Sequence, residues 1–524
     1  MRVVRLEEER MPSGLQETFD RLHAHRWEVA RRGAKERLAR LETLKTLLLA
    51  RREALADALY ADFRKPRAEV EATEVLPVLM ELASAQKHLK SWMKPRKVST
   101  PLLLTGTTSH VQYEPRGVVL VMAPWNYPFH LLVSPLVAAV AAGNTVLCKP
   151  SEKTPNTARF TAELLKDVFP EDEVALVEGG PEVGEALLRL PFDHFFFTGG
   201  PRVGRRVMEA AARHQASVTL ELGGKSPVIV DETADVAAAA ERVVWGKFLN
   251  AGQTCIAPDH VWVHASKEEA LLEAMKAALE RFYGRTEEAR RASLDLCRVV
   301  DDGAFHRVRR LMDRSVEAGA RVVVGGTVDA ESRYIAPTVL ADVPPDAPIM
   351  GEEIFGPVLP VLRFESLDAV VSHVREDGKP LALYVFSQDE ATVERLLRET
   401  RSGGVCINTV VLHNVNPNLP FGGVGESGVG AYHGETGFRT FSHERAVLRQ
   451  GRTSLLHLFF PPYSGKAQKR ARPASRLFEN GGAPPWHASP TFRDNCANDH
   501  VRTTIREALA GNGAGPGGLQ RRLE

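Results

Sequence analysis

Residues 117–153 read GVVLVMAPWNYPFHLLVSPLVAAVAAGNTVLCKPSEK. An apolar run from Val118 to Met122 leads through a proline-rich turn into a second apolar run, Phe129 to Ala142, and then a third, Thr145 to Cys148. The first and third are short and β-branched, which predicts strands, while the middle one has helical length. The segment from Leu131 to Ala142 is too short to cross a bilayer and contains Pro135, so it reads as a buried helix. The alternation continues with a helix at Thr157 to Val168 and a strand at Val174 to Val177. A short helix at Glu185 to Leu190, a strand at Phe195 to Phe197, a helix at Val203 to His214 and a strand at Val218 to Leu220 follow. Apolar strands separated by amphipathic helices predict a parallel sheet covered on both faces. Such sheets bind ligands at the carboxyl ends of their strands, where Asn126, Lys149 and Gly199 fall.

A second alternating series begins at Pro227. Strands are expected at Val228 to Val230, Val261 to Val263, Arg321 to Val324, Leu359 to Phe364, Leu381 to Phe386 and Val405 to Ile407. Helices are expected at Val236 to Leu249, Lys267 to Phe282, Ala304 to Ala318 and Glu390 to Arg398. On the other side, Leu15 to Trp92 reads as helices, with Leu38, Leu41, Leu44, Leu48, Leu55 and Leu59 at helical spacing. A break at Lys94–Arg96 leads into Leu102 to Tyr113, expected to form two β arms around Thr105-Gly106-Thr107. A hairpin of that size has too little core to stand alone. The fold class is therefore α/β, with two doubly wound parallel-sheet domains and a small β-hairpin arm. The expected division is 14–98 for the N-terminal helices, 99–115 for the arm, 116–222 for the first sheet domain and 223–407 for the second. Residues 408–449 form a glycine-rich return segment and 450–524 a C-terminal tail.

With 524 residues the chain exceeds one ordinary domain. Its net charge of +1 points to neither a nucleic-acid nor a membrane partner. Cys148, Cys255, Cys297, Cys406 and Cys496 are too scattered for a disulfide framework or a metal-ligand pattern, which fits a reducing cytoplasm. No His/Cys/Asp cluster in the sequence suggests a metal. The N-terminus, MRVVRLEEERMPSG, is not a signal peptide. From residue 466 the tail carries an excess of five positive charges and the glycine-rich runs 481–485 and 511–518, so disorder is expected there, with no apolar membrane anchor.

The chemistry-bearing stretch is Trp245 to Val263, WGKFLNAGQTCIAPDHVWV. Cys255 sits in a small-residue turn between a helix and a strand, where a thiol is open to reaction. A nearby helix N-terminus or cation would hold it as thiolate. A lone cysteine also reads as a buried structural thiol.

Five motifs in order decide between those readings: PWNYP around Asn126, FTGG at Phe197 to Gly200, ELGGKSP from Glu221, GQTC at Cys255 and EEIFGP at Glu352 to Pro357. Together they resemble the aldehyde dehydrogenase superfamily over residues 14 to 464. The wording WGKFLNAGQTCIAPDHV and PFGGVGESGVGAYHGETGFRTFSHER is similar to its class 3 branch of fatty and aromatic aldehyde dehydrogenases. The resemblance implies Cys255 as nucleophile, the Asn126 amide and the Cys255 backbone N–H as oxyanion donors, and Glu221 as the base for thioester hydrolysis. It implies NAD or NADP as cofactor, bound by Lys149, Glu152, Gly199, Gly200, Pro201, Arg202, Val203 and Gly204, with Glu353 on the nicotinamide ribose and Phe355 near the ring. Glu353 is also a second candidate base. Tyr127 and His433 are expected in the substrate tunnel, and the arm is expected to serve a homodimer. The implied activity is oxidation of medium- or long-chain aliphatic or aromatic aldehydes to acids through a cysteine thiohemiacetal and thioester. The alternatives are a CoA-acylating dehydrogenase, which commonly lacks the ELGG glutamate, and a non-catalytic protein on the same fold.

Overall fold

The computed structural model of the chain describes residues 14–101, 104–452 and 460–461. The tail expected to be disordered from residue 466 lies outside the described residues. The chain divides into two units, one within Met1–Lys94 and Tyr113–His443, the other within Pro95–Gln112 and Glu444–Glu524.

The larger unit holds two open sheets. The first has six strands, in the order Gly428–Val429, Ser217–Glu221, His194–Thr198, Val118–Met122, Thr145–Lys149 and Val174–Leu176. All neighbours are parallel except the Gly428–Val429 edge, which pairs antiparallel with Ser217–Glu221. The chain runs outward from Val118–Met122 in one direction, then returns to place His194–Thr198 on its other side. That reversal is a topological switch point, and the crevice it leaves lies outside the carboxyl ends of Val118–Met122 and His194–Thr198. The loops leaving those two ends carry Asn126 and Gly199-Gly200.

The all-apolar helix at His130–Ala142 is buried along its whole length, as its composition demands. It stops at Gly143, which takes φ 92°, a left-handed conformation that glycine adopts without a Cβ clash. A side chain there would also run into Arg37, whose guanidinium donates to the carbonyl of Ala141 at this helix end and to that of Ala30 in the N-terminal helix Leu15–Arg31. Leu41, Leu44, Leu48, Leu55 and Leu59 line the buried stripe of the long helix Ala34–Phe63.

The second sheet has seven strands in the order Arg321–Val324, Thr338–Ala341, Val358–Phe364, His260–His264, Pro227–Val230, Ala382–Phe386 and Gly404–Ile407. It is parallel except for the antiparallel edge Arg321–Val324. The doubly wound α/β reading therefore holds, with one antiparallel edge strand in each sheet.

Three local expectations change. The short helix runs over Pro181–Leu187, earlier than Glu185 to Leu190, because Pro181 starts it behind Gly180. The strand Thr338–Ala341 and the helix Leu367–Glu376 were not anticipated. In the arm, Thr107–Pro115 is a strand, but its antiparallel partner is Arg96–Val98, with Arg96 opposite Val111. A third strand, Ser442–Gln450, completes that sheet on the other side of Thr107–Pro115.

Leu120 lies fully buried in the middle of the central strand of the first sheet. Truncation to alanine leaves a cavity that the sheet cannot close, and Leu120→Ala is expected to cost roughly 2–5 kcal/mol. Urea unfolding followed by circular dichroism measures it; a midpoint equal to the parent's contradicts this placement of the core.

Candidate active site

The turn that carries Cys255 is built by strain. After the helix Val236–Phe248, three consecutive residues take left-handed dihedrals: Asn250 (φ 53°), Ala251 (φ 51°) and Gly252 (φ 72°). Positive φ costs on the order of 1–3 kcal/mol at a non-glycine residue and persists only where surroundings enforce it. Those surroundings are visible. The Asn250 side-chain amide donates to the carbonyls of Asn126 (2.9 Å) and Gln253 (3.1 Å). The Asn126 amide donates to the same Gln253 carbonyl at 3.0 Å. The Asn250 backbone N–H donates to Glu69 Oε2 at 3.1 Å. Gly252 has no alternative, since a Cβ would sit 2.2 Å from the carbonyl oxygen of Gly356.

The turn delivers Cys255 to the wall of a cavity of about 210 Å³. Asn126, Gly199, Gly200, Glu221, Glu353 and Phe355 line the same cavity. Six of the residues singled out from sequence are thus brought together with the cysteine. Trp125, Thr198, Leu222 and Gly223 also line it and were not anticipated as site residues, although each neighbours one that was. Trp125 packs edge-on against Phe355, ring centroids 5.4 Å apart, and Phe355 takes φ 46°.

The two carboxylates differ in their surroundings. Glu221 ends the strand Ser217–Glu221, is 2% exposed, and has no hydrogen-bond partner on either side-chain oxygen. Burial raises its pKa well above the usual carboxylate range. Burial, and then Asp259, push Glu353 up to about 8 against the pull of a hydrogen bond from the Gly224 N–H. The Glu353 carboxylate lies over Gly223, where a Cβ would come within 2.1 Å of its Oε2.

The surroundings of Cys255 disfavour a thiolate. Its thiol is pushed upward, first by burial and then by the negative charges of Glu353 and Glu221; the backbone N–H groups of Cys255 and Ile256 work in the opposite direction. The Cys255 thiol thus shares its cavity with two carboxyl groups, Glu221 and Glu353.

A nucleotide can be placed by this end of the first sheet. Gly199 and Gly200 precede the helix Pro201–His214, whose first turn holds Arg202, Val203 and Gly204. A Cβ on Gly200 would meet nothing within 4 Å, and the Thr198 hydroxyl is buried without a partner. Open space and a helix N-terminus suit a phosphate. Gly204 instead serves packing, because a Cβ there would press on Leu222 at 2.7 Å. Lys149 ends the next strand, donating to Pro150 O at 3.0 Å and reaching Glu152 Oε2 at 3.4 Å.

Two expected tunnel residues are not among those lining the cavity. Tyr127 is buried behind the nucleophile turn, sharing a 2.5 Å hydrogen bond with the Thr254 hydroxyl. The ammonium of Lys65, itself paired with Glu74 at 2.7 Å, lies 4.0 Å from the Tyr127 ring centre. His433 is 4% exposed, paired through Nδ1 with Glu81 and through Nε2 with Asn414 at 3.1 Å. It is held as a core histidine. Lys247, eight positions before Cys255, was missed. It is fully buried, and burial lowers it to about 8.

The fold is a doubly wound α/β architecture whose cavity gathers a thiol, two carboxyl groups and a glycine turn. The Aldehyde dehydrogenase family model matches residues 17–447. The chain is 45% identical to the 4,4'-diaponeurosporen-aldehyde dehydrogenase of Staphylococcus aureus over 412 residues, covering 79% of this chain and 88% of that one. It is 44% identical to human aldehyde dehydrogenase family 3 member B1 over 435 residues, covering 83% and 91%. Among solved structures, the substrate-bound state of Staphylococcus aureus AldH matches with a TM-score of 0.84 and 41% identity, over 88% of this chain and 99% of that one. A Mycobacterium tuberculosis aldehyde dehydrogenase complexed with NAD+ matches with a TM-score of 0.75 and 29% identity, over 83% and 90%. The chain belongs to the aldehyde dehydrogenase family, with class 3-type relatives. It is accordingly an oxidoreductase with a NAD or NADP cofactor. Among the described residues no helix is long and apolar enough to cross a membrane.

Glu353 raises the Cys255 thiol pKa, so removing its charge lowers it. Glu353→Gln is expected to shift the pH profile of Cys255 alkylation by iodoacetamide to lower pH, giving faster labelling above about pH 8, where Glu353 is ionised, and below the plateau. Stopped labelling with mass spectrometry reads it out; a profile that moves up instead contradicts the charge placement.

Proposed function

We propose that this chain oxidises apolar aldehydes, medium- or long-chain aliphatic or aromatic, to carboxylic acids with NAD(P)+, through covalent intermediates on Cys255. The observation that carries the reading is one cavity lined by Cys255, Asn126, Glu221, Glu353 and the Gly199-Gly200 turn. The apolar substrate class is supported by the lining of Pro124, Trp125, Leu131 and Phe355, and by the diaponeurosporen-aldehyde that names one relative. The Lys149–Glu152 end of the first sheet and the first turn of Pro201–His214 would hold the cofactor, with Glu353 and Phe355 toward its nicotinamide half.

In this reading the Cys255 thiol gives its proton to water in the cavity, its sulfur adds to the aldehyde carbon, and the carbonyl oxygen becomes an alkoxide. The Asn126 side-chain amide keeps one N–H beyond that given to Gln253, and with the Cys255 backbone N–H it stabilises that oxygen. Bound NAD(P)+ supplies the acceptor for the hydride lost from the former aldehyde carbon. The product is a thioester on Cys255. Glu221, with no competing partner, takes a proton from water as the water attacks the thioester carbon. The acid leaves and the thiol is restored. The raised pKa of Glu221 fixes the sign of the pH dependence: the base acts only when ionised, so hydrolysis rises with pH through that raised value.

Water rather than coenzyme A is favoured as acyl acceptor because Glu221 is present and buried at the cavity wall. A homodimer built through the three-stranded arm, in the cytoplasm, completes the proposal.

Absorbance of NADH or NADPH formed across an aldehyde panel tests the assignment. Cys255→Ala is expected to abolish turnover while leaving unfolding and cofactor binding unchanged; a variant with normal turnover sinks it. Glu221→Gln is expected to keep the first-turnover burst and slow the steady state by roughly two to four orders of magnitude. Should burst and steady state fall together, Glu221 acts on the thiol instead of on water.

A further inference from the structure

His260 begins the strand that follows the nucleophile turn, and His373 and Asp377 sit one helical turn apart at the end of the helix Leu367–Glu376. One ring nitrogen of each histidine and a carboxylate oxygen of Asp377 lie within 4.8 Å of one another. These residues are separate from the cavity around Cys255. We propose that His260, His373 and Asp377 form a binding site for a divalent transition-metal ion of the Zn2+ class.

Three features support a ligand site over an incidental cluster. First, His260 is 1% exposed, its Nδ1 faces Asp259 Oδ2 at 3.5 Å, and its Nε2 is buried with no hydrogen-bond partner. A buried ring nitrogen without a partner forfeits a hydrogen bond that water would supply. Second, His373 Nε2 stands 2.9 Å from Asp377 Oδ2, so one turn of helix already presents an imidazole nitrogen and a carboxylate oxygen side by side. When Nε2 carries no proton, the two atoms are spaced as adjacent ligands of one ion. Third, the outer shell is already in place. A carboxylate on the second nitrogen of a histidine ligand fixes the ring and strengthens its donation. Asp259 occupies that position, and it is itself fixed by Lys225 at 2.5 Å and by the Ile354 N–H at 2.9 Å.

The donor set selects the ion. Two imidazoles and a carboxylate suit zinc, cobalt or nickel and leave a coordination position for water, whereas calcium and magnesium prefer all-oxygen sites. Asp377 and His373 are partly exposed, with side chains 29% and 22% accessible, so the site has an entry path from solvent. Trp262 closes the other side, its ring 4.8 Å from that of His373.

Cobalt(II) is the probe, titrated into the chelator-treated full-length Cys255→Ser protein so that the active-site thiol contributes nothing. One equivalent is expected to bind and develop visible d–d absorption, and added Zn2+ is expected to displace it and raise the unfolding temperature. Asp377→Asn and His373→Ala change partly exposed residues and are each expected to weaken binding by about ten- to a hundred-fold and remove the zinc-dependent rise. Their unfolding temperatures without metal are expected to match the parent's. Absence of cobalt binding in the parent, or binding of equal affinity in both variants, overturns the site.

Discussion

A single carbonyl, that of Gln253, holds the active site together. It accepts an amide N–H from Asn126, in the loop leaving the first sheet, and another from Asn250, in the turn before the strand His260–His264 of the second. Asn250 also grips the Asn126 carbonyl, so the two loops are tied reciprocally. Each such bond contributes about 0.5–1.5 kcal/mol net, but leaving one of these buried groups unpaired would cost about 1–3 kcal/mol. The second figure matters more here. Together the bonds offset the strain of two non-glycine residues at positive φ, and that strained backbone is what turns Cys255 toward the cavity.

The sheets contribute opposite ends to the site. The first offers the carboxyl ends of its strands, giving Asn126, Gly199 and Glu221. The second offers its amino ends: Cys255 lies before His260–His264 and Glu353 before Val358–Phe364. Lys225 links two of these amino-end loops, donating to Asp259 and to the carbonyls of Ile349 and Glu352. The ELGGKSP motif thus carries two jobs. Glu221 serves the cavity, and Lys225 four residues on fixes the loop that presents Glu353.

The strands of both sheets were legible because they are short apolar runs buried on both faces, a pattern with few alternatives. Thr338–Ala341 does not read as a strand because prolines at 337 and 344 bracket it and give the stretch the composition of a loop. The arm was misread because Arg96–Val98 is fully exposed and shows no apolar alternation, so nothing in its residues marks it as a strand. At the site, the motif residues converged as their order implied, while His433 and Tyr127 did not reach the cavity lining. Their destinations depend on Glu81 and Thr254, partners 352 and 127 residues away that no local pattern reveals. The surroundings of the Cys255 thiol were equally hidden, since they combine burial with the convergence of two glutamates that the chain keeps 132 residues apart.

That convergence bears on how two carboxyl groups in one cavity could divide the proposed work. Glu221 stands at the rigid end of a paired strand, opposite Thr198 in the sheet register, with both oxygens unengaged. Glu353 rides on a loop, over Gly223, with an N–H from Gly224 already spent on it. Ionising both would place two negative charges beside a thiol that must itself lose a proton, so each disfavours the ionisation of the others. A group on a loop can withdraw its charge by moving; a group at a strand end cannot. The fixed, unpartnered carboxylate is therefore better suited to meet a water at a defined position. The loop carboxylate is better suited to follow a bound group, and its Gly223 cradle leaves it room because no side chain stands there.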